Sequence, residues 1–140
     1  MLFPKKVKHR KWQKNRQNPK GLGNETRGTK LSFGSFGLKA ISYEHITSNQ
    51  IESARKVIAR SVGKTGRVWI RVFPDRPFTQ KAAEVPMGKG KGEPQGFCFE
   101  VRPGRVLFEV EGIAEVEAKL ALKKAGAKLP MKTKVISREH

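Results

Sequence analysis

One cysteine, Cys98, stands alone, so no internal disulfide can brace this chain. It lies in the alternating run Phe97-Cys98-Phe99-Glu100-Val101, where a small half-buried thiol is expected. Aspartate is as scarce, with Asp75 the sole example, and the histidines His9, His45 and His140 are scattered without companions at metal-ligand spacing. No Ser-His-acid or Cys-His arrangement can be argued, so no catalytic residue, metal or cofactor is expected. Long apolar runs are missing too, and no basic amphipathic surface helix offers itself to a membrane. The N-terminus is charged from Lys5 and lacks the apolar stretch of a secretory signal. The cytoplasm is the expected compartment, ahead of an organelle matrix.

What is abundant is positive charge. Thirty Lys and Arg oppose twelve Asp and Glu in 140 residues, a formal net charge of +18 and a pI near 10.6. Soluble domains ordinarily carry a net charge of about two to eight in magnitude. An excess this large repels itself in a compact fold, so a polyanion is the natural partner, and nucleic acid is the polyanion that fits. The 36% hydrophobic content, with eight Phe and two Trp, is enough for one compact core.

The charge is unevenly placed. Residues 1–30 hold Lys5, Lys6, Lys8, Arg10, Lys11, Lys14, Arg16, Lys20, Arg27 and Lys30 against Glu25 alone. This stretch is poor in core-forming residues and broken by Pro4, Pro19, Gly21, Gly23 and Gly28, so it reads as a basic arm that orders on its partner. Phe3 and Trp12 add rings that can stack on bases. Residues 31–140 read as one globular domain.

Within that domain, Leu31 to Tyr43 is strand-like, with a repeated Ser-Phe-Gly whose glycines suit either RNA contact or tight packing. Thr47 with Gln50 is a capping-box spacing that opens a helix to Val62. Ile51, Ala54, Val57, Ile58 and Val62 share its core side, while Arg55, Lys56 and Arg60 lie opposite, in solvent or against phosphate. Gly63 suits a helix C-terminus. Val68 to Phe73 alternates as a strand stopped by Pro74, and a polar Gly- and Pro-rich loop is expected over 75–96. Phe97–Val101 and Val106–Val110 are expected to pair as a hairpin through a type II turn at Arg102-Pro103-Gly104-Arg105. A second helix is expected from Ile113 to Ala125, burying Ile113, Val116 and Leu120, and a last strand over Thr133–Ser137. The class is α+β, two helices on a mixed, largely antiparallel sheet.

Met87-Gly88-Lys89-Gly90-Lys91-Gly92 alternates a permissive backbone with ammonium groups, suited to phosphate, though a plain surface loop has the same composition. It is no dinucleotide fingerprint, because Glu93 occupies the third glycine position. Gly63-Lys64-Thr65 fails as a phosphate loop, because the glycine required upstream is Ile58.

Assembled in order, these segments resemble the bacterial-type large-subunit ribosomal protein L sixteen family. The resemblance rests on Pro4-Lys5 with Lys8, Arg10 and Lys11; Ser32 through Ala40; Trp69 through Asp75; Met87 through Gly92; Pro103-Gly104; and Lys128-Leu129-Pro130 with Lys132-Thr133. It implies a hammerhead-like α/β fold bound to 23S-type rRNA near the base of the central protuberance. The implied partners are that rRNA, A-site and P-site tRNA, neighbouring large-subunit proteins and the 5S rRNA region. The arm would enter rRNA, the loop from Met87 to Gly92 would face tRNA, and Arg71 and Arg76 would add rRNA contacts. Many relatives place Arg just before the Met-Gly-Lys run. Here it is Pro86, so a hydroxylated arginine and its direct contact are both lost. A free nucleic-acid chaperone would explain the charge but not the ordered motifs, and an RNA-acting enzyme would need acid-base groups the sequence does not organise.

Overall fold

The computed structural model describes residues 23–80 and 93–138. Seven strands and two helices follow in the order β1 (Phe36–Ala40), β2 (Glu44–Thr47), α1 (Ser48–Val62), β3 (Arg67–Ile70), β4 (Arg76–Gln80), β5 (Glu93–Val101), β6 (Val106–Glu111), α2 (Glu115–Gly126) and β7 (Thr133–Ser137). The strands form two sheets, ordered β3-β6-β1-β7 and β2-β5-β4, and every described pairing is antiparallel. The expected α+β class with two helices is the class observed.

Helix α1 begins where the capping box puts it. The Thr47 side chain accepts the Gln50 backbone N–H, and the Gln50 side chain accepts the Thr47 N–H at 2.9 Å. It ends at Gly63, whose positive φ of 67° and N–H donated to Ala59 close the last turn. Ile51, Ala54, Ile58 and Val62 are buried as its spacing requires. This helix packs against α2 and β3, and α2 packs in turn against β1 and β7. Both helices thus cover one face of the larger sheet, over a core that includes Leu38, Ile58, Phe108 and Leu122. Ile46 and Val101 carry that core into the smaller sheet.

Three expectations are corrected. The 97–110 hairpin does not form, since β5 pairs with β2 and β4 while β6 pairs with β1 and β3. The turn itself is present, with Gly104 at φ 103° and the Arg105 N–H donated to Arg102 O at 3.3 Å. It acts as a corner between sheets, because Ala40 at the end of β1 takes both its outward groups: Gly104 N–H to Ala40 O at 2.7 Å and Ala40 N–H to Arg105 O at 2.9 Å. The stripe expected on the second helix is also displaced. Val116 is 70% and Leu120 55% exposed, whereas Ala118, Ala121, Leu122 and Ala125 are buried. Small side chains let α2 lie close to α1, and closeness outweighs the larger apolar residues (Ile113, just before the helix, packs partly on the core). Third, the 75–96 stretch contains β4 and the first residues of β5. The backbone of Arg76–Gln80 is paired with β5 in a sheet that its composition did not advertise.

Strand limits shift as well. The strand-like segment from Leu31 is extended only from Phe36, and a separate short β2 precedes α1. Residues 25–30, grouped by charge with the arm, are fastened to the domain: Glu25 N–H donates to Pro103 O and Val106 N–H to Gly28 O, both at 2.8 Å.

Candidate nucleic-acid interface

The candidate surface is defined by which cations are neutralised inside the chain and which are not. Glu109, on β6, is wholly buried and lies on the face of the larger sheet away from the helices, opposite Gly37 of β1 and Trp69 of β3. Its Oε1 accepts three consecutive backbone N–H groups, from Ser32 and Phe33 at 2.9 Å and from Gly34 at 3.0 Å. Its Oε2 accepts Arg71 Nη1. Burial alone would push this carboxyl up. The Gly34 and Phe33 N–H groups, Arg71 and the Ser32 N–H reverse that and hold it below the ordinary carboxylate range.

The chain can wrap an oxygen this tightly only because Gly34 lies against the backbone of Val110, where a Cβ would stand 2.5 Å from the carbonyl oxygen. Around the carboxylate, Phe33 stacks on Trp69 with centroids 5.8 Å apart, and Arg71 lies 5.3 Å from the Phe33 centroid. The Ser-Phe-Gly repeat and the Trp69–Arg71 stretch are therefore halves of one construction, closed by a carboxylate that sequence reasoning did not single out. A glutamate in the otherwise apolar run Val106–Val110 was the available signal.

Arg76 is likewise engaged, with Nη1 3.0 Å from Glu100 Oε2. Glu100 also accepts the Tyr43 hydroxyl, and burial together with that hydrogen bond raises the phenol to a pKa of about 12. The neighbouring Cys98 is buried, and desolvation pushes its thiol up, so it is no poised nucleophile. Arg105 reaches from the corner to Arg71 O at 3.2 Å and Arg27 O at 3.3 Å and lies 5.2 Å from the Phe99 centroid. It is a fastener for residues 25–28 and another participant the sequence reading passed over.

On α1, Arg55 is paired with Glu52 one turn back, while Lys56 and Arg60 are exposed with no ion-pair partner among the described residues. Arg60 continues into an open groove of about 470 Å³ between the helix ends, lined also by Val57, Ser61, Lys124, Ala127 and Lys128. These cations complement two helix C-termini and remain open to an external anion. Lys5, Lys6, Lys8, Arg10, Lys11, Lys14 and Arg16 of the arm, and the loop Met87, Gly88, Lys89, Gly90, Lys91 and Gly92, lie outside the described residues. Among the described residues no three His, Cys, Asp or Glu side chains gather as metal ligands, and no helix is long and apolar enough to cross a membrane.

Residues 4–136 match the family model described as ribosomal protein L16p/L10e. A protein of Azobacteroides pseudotrichonymphae named large ribosomal subunit protein uL16 is 54% identical over 138 residues, covering 99% of this chain and 94% of that one. Proteins of the same name from Acidiphilium cryptum and Sphingopyxis alaskensis are 52% and 53% identical over 138 residues, with 97% and 94% of their own lengths covered. The chain belongs to the ribosomal protein L16p/L10e family.

Proposed function

We propose that the chain is a structural constituent of the large ribosomal subunit in the cytoplasm, where it binds 23S-type rRNA and helps shape the A-site region near the central protuberance. Membership of a ribosomal-protein family makes it a component of a particle and not an enzyme. The observation that carries the RNA-binding reading is the fate of its carboxylates. Glu25, Glu52, Glu100, Glu109 and Glu115 all lie in ion pairs within the chain. These five carboxylates serve contacts within the chain, and the surplus of a +18 chain is left for an external polyanion.

In this reading Lys5, Lys6, Lys8, Arg10, Lys11, Lys14 and Arg16 neutralise rRNA phosphates, with Lys56 and Arg60 of α1 beside them. Arg55, Arg71 and Arg76 are partly compensated by their own carboxylates, so they add less charge and more shape. The loop Met87–Gly92 faces A-site and P-site tRNA, and neighbouring subunit proteins and the 5S rRNA region complete the surroundings. The mechanism is counterion release together with fit to preformed RNA, with little base reading. When lysate is fractionated on a gradient at moderate salt, nearly all copies should sediment with large subunits. A mainly free or DNA-bound pool contradicts the proposal.

A further inference from the structure

The face of the larger sheet that carries Glu109 has a second feature nearer the other edge. Strand β1 pairs with β7 so that Lys39 stands directly opposite Lys134. Directly opposed residues of an antiparallel pair project to the same face, and like charges so placed repel and destabilise the sheet. Gly37 and Ile136 are the neighbouring pair on this same face, while Leu38 and Val135, on the other, pack toward the core under the helices. The two lysines line a cleft of about 590 Å³ that Lys30 and Arg138 also enter. None of the four has an ion-pair partner among the described residues, and no carboxylate of the described residues lines the cleft. The hydroxyl-bearing residues Thr29 and Ser137 complete the polar lining.

The wall of this cleft is held in place. Leu31 rests on Gly37, where any Cβ would collide with Leu31 Cδ2, and the next three residues are pinned to Glu109 by their N–H groups. Edge protection is a common reason for lysine on an exposed strand, and it would account for Lys134 on the edge strand β7. It does not account for Lys39, because β1 is flanked on both sides by β6 and β7. A repulsive pair inside a sheet, joined by two further cations from outside it, costs the free chain stability that only a bound anion recovers.

We infer that the Lys39–Lys134 cleft, with Lys30 and Arg138, is a preformed seat for the phosphodiester backbone of RNA, separate from the arm, the Gly-Lys loop and α1. It rests on the RNA-binding reading above and adds to it a site on the opposite face of the sheet from the helices. The signature is a pair of effects with opposite sign, because removing either lysine relieves repulsion in the free chain while removing a phosphate contact.

The test uses the full chain and deproteinised large-subunit rRNA, with binding measured across a range of monovalent salt. Lys39→Gln and Lys134→Gln should each flatten the log-log salt dependence by about 0.7 to 0.9 and together by about twice that. Each free variant should melt at or above the parent temperature, and Lys39→Arg with Lys134→Arg should keep the parental slope. Lys64→Gln, an exposed lysine in the turn after α1, should leave the slope unchanged. If the parent binds with a steep slope and the double Gln variant matches it, the cleft proposal is overturned while RNA binding stands. If the parent itself shows no salt-dependent binding to rRNA, the broader functional reading falls with it.

Discussion

Glu109 shows how one residue can look like an error until its neighbours are in place. A bare carboxylate in a β-strand core would be untenable, yet three backbone N–H groups and a guanidinium satisfy it. Replacing it with Gln keeps the shape, removes the charge and leaves Arg71 without its anion. Glu109→Gln is expected to cost about 2 to 3 kcal/mol, in line with hydrogen bonds to charged groups, and urea unfolding at neutral pH measures it. Because the native carboxyl lies below its unfolded value of about 4.3, its contribution is present above that pH and disappears as pH falls through the depressed native value. The gap between parent and Gln variant should therefore narrow on acidification. A constant gap would mean that the charge is not what matters. Sequence alone left the Ser-Phe-Gly repeat open between RNA contact and packing. The structure shows tight packing at Gly34 and Gly37, and the carboxylate that takes the Gly34 N–H is 75 residues away.

At the scale of elements, local signals were legible and pairings were not. The capping box, the Gly63 terminus, the 102–105 turn and β7 all depend on a few consecutive residues, and all are found where the chain chemistry puts them. The hairpin failed because a turn constrains its own four residues but not the sheet that each flanking strand joins. Helix α2 buries Ala118, Ala121, Leu122 and Ala125 and leaves the larger Val116 and Leu120 exposed, so side-chain size alone does not predict its packed face. Ala121→Leu should accordingly destabilise by about 1 to 3 kcal/mol through overpacking at a buried position, while Leu120→Ser should change stability by less than about 0.5 kcal/mol. Thermal or denaturant unfolding separates the two, and a reversed order would restore the Val116/Leu120 face to the core. In the smaller sheet, Glu100 of β5 takes Arg76 of β4 and the Tyr43 hydroxyl beside β2. A phenol raised to about 12 stays protonated in the folded chain while the unfolded one ionises near 10. Its stability contribution is therefore complete below about pH 10 and is lost as pH rises toward the native value. Tyr43→Phe should decline less steeply than the parent between those limits, as followed by circular dichroism. Identical profiles would detach Tyr43 from the network.

Across the whole molecule, function was easier to read than topology. Thirty cations against twelve anions is a property of composition, visible without any fold, and so are the ordered family motifs. Which cations remain available is not visible there, because it depends on the internal carboxylates each one meets. Arg71 and Arg76 looked like surface contacts in sequence and prove to have partners within the chain, while Lys39 and Lys134 attracted no notice until β1 and β7 were laid side by side. A scaffold stitched by five of its carboxylates is expected to present its remaining positive charge to ribosomal RNA. A density map of the native large subunit tests it most directly. The prediction is a chain seated in the particle with residues 1–16 and the Lys39–Lys134 cleft against RNA backbone. Purified large subunits without this chain, or with both surfaces turned to open solvent, would contradict it.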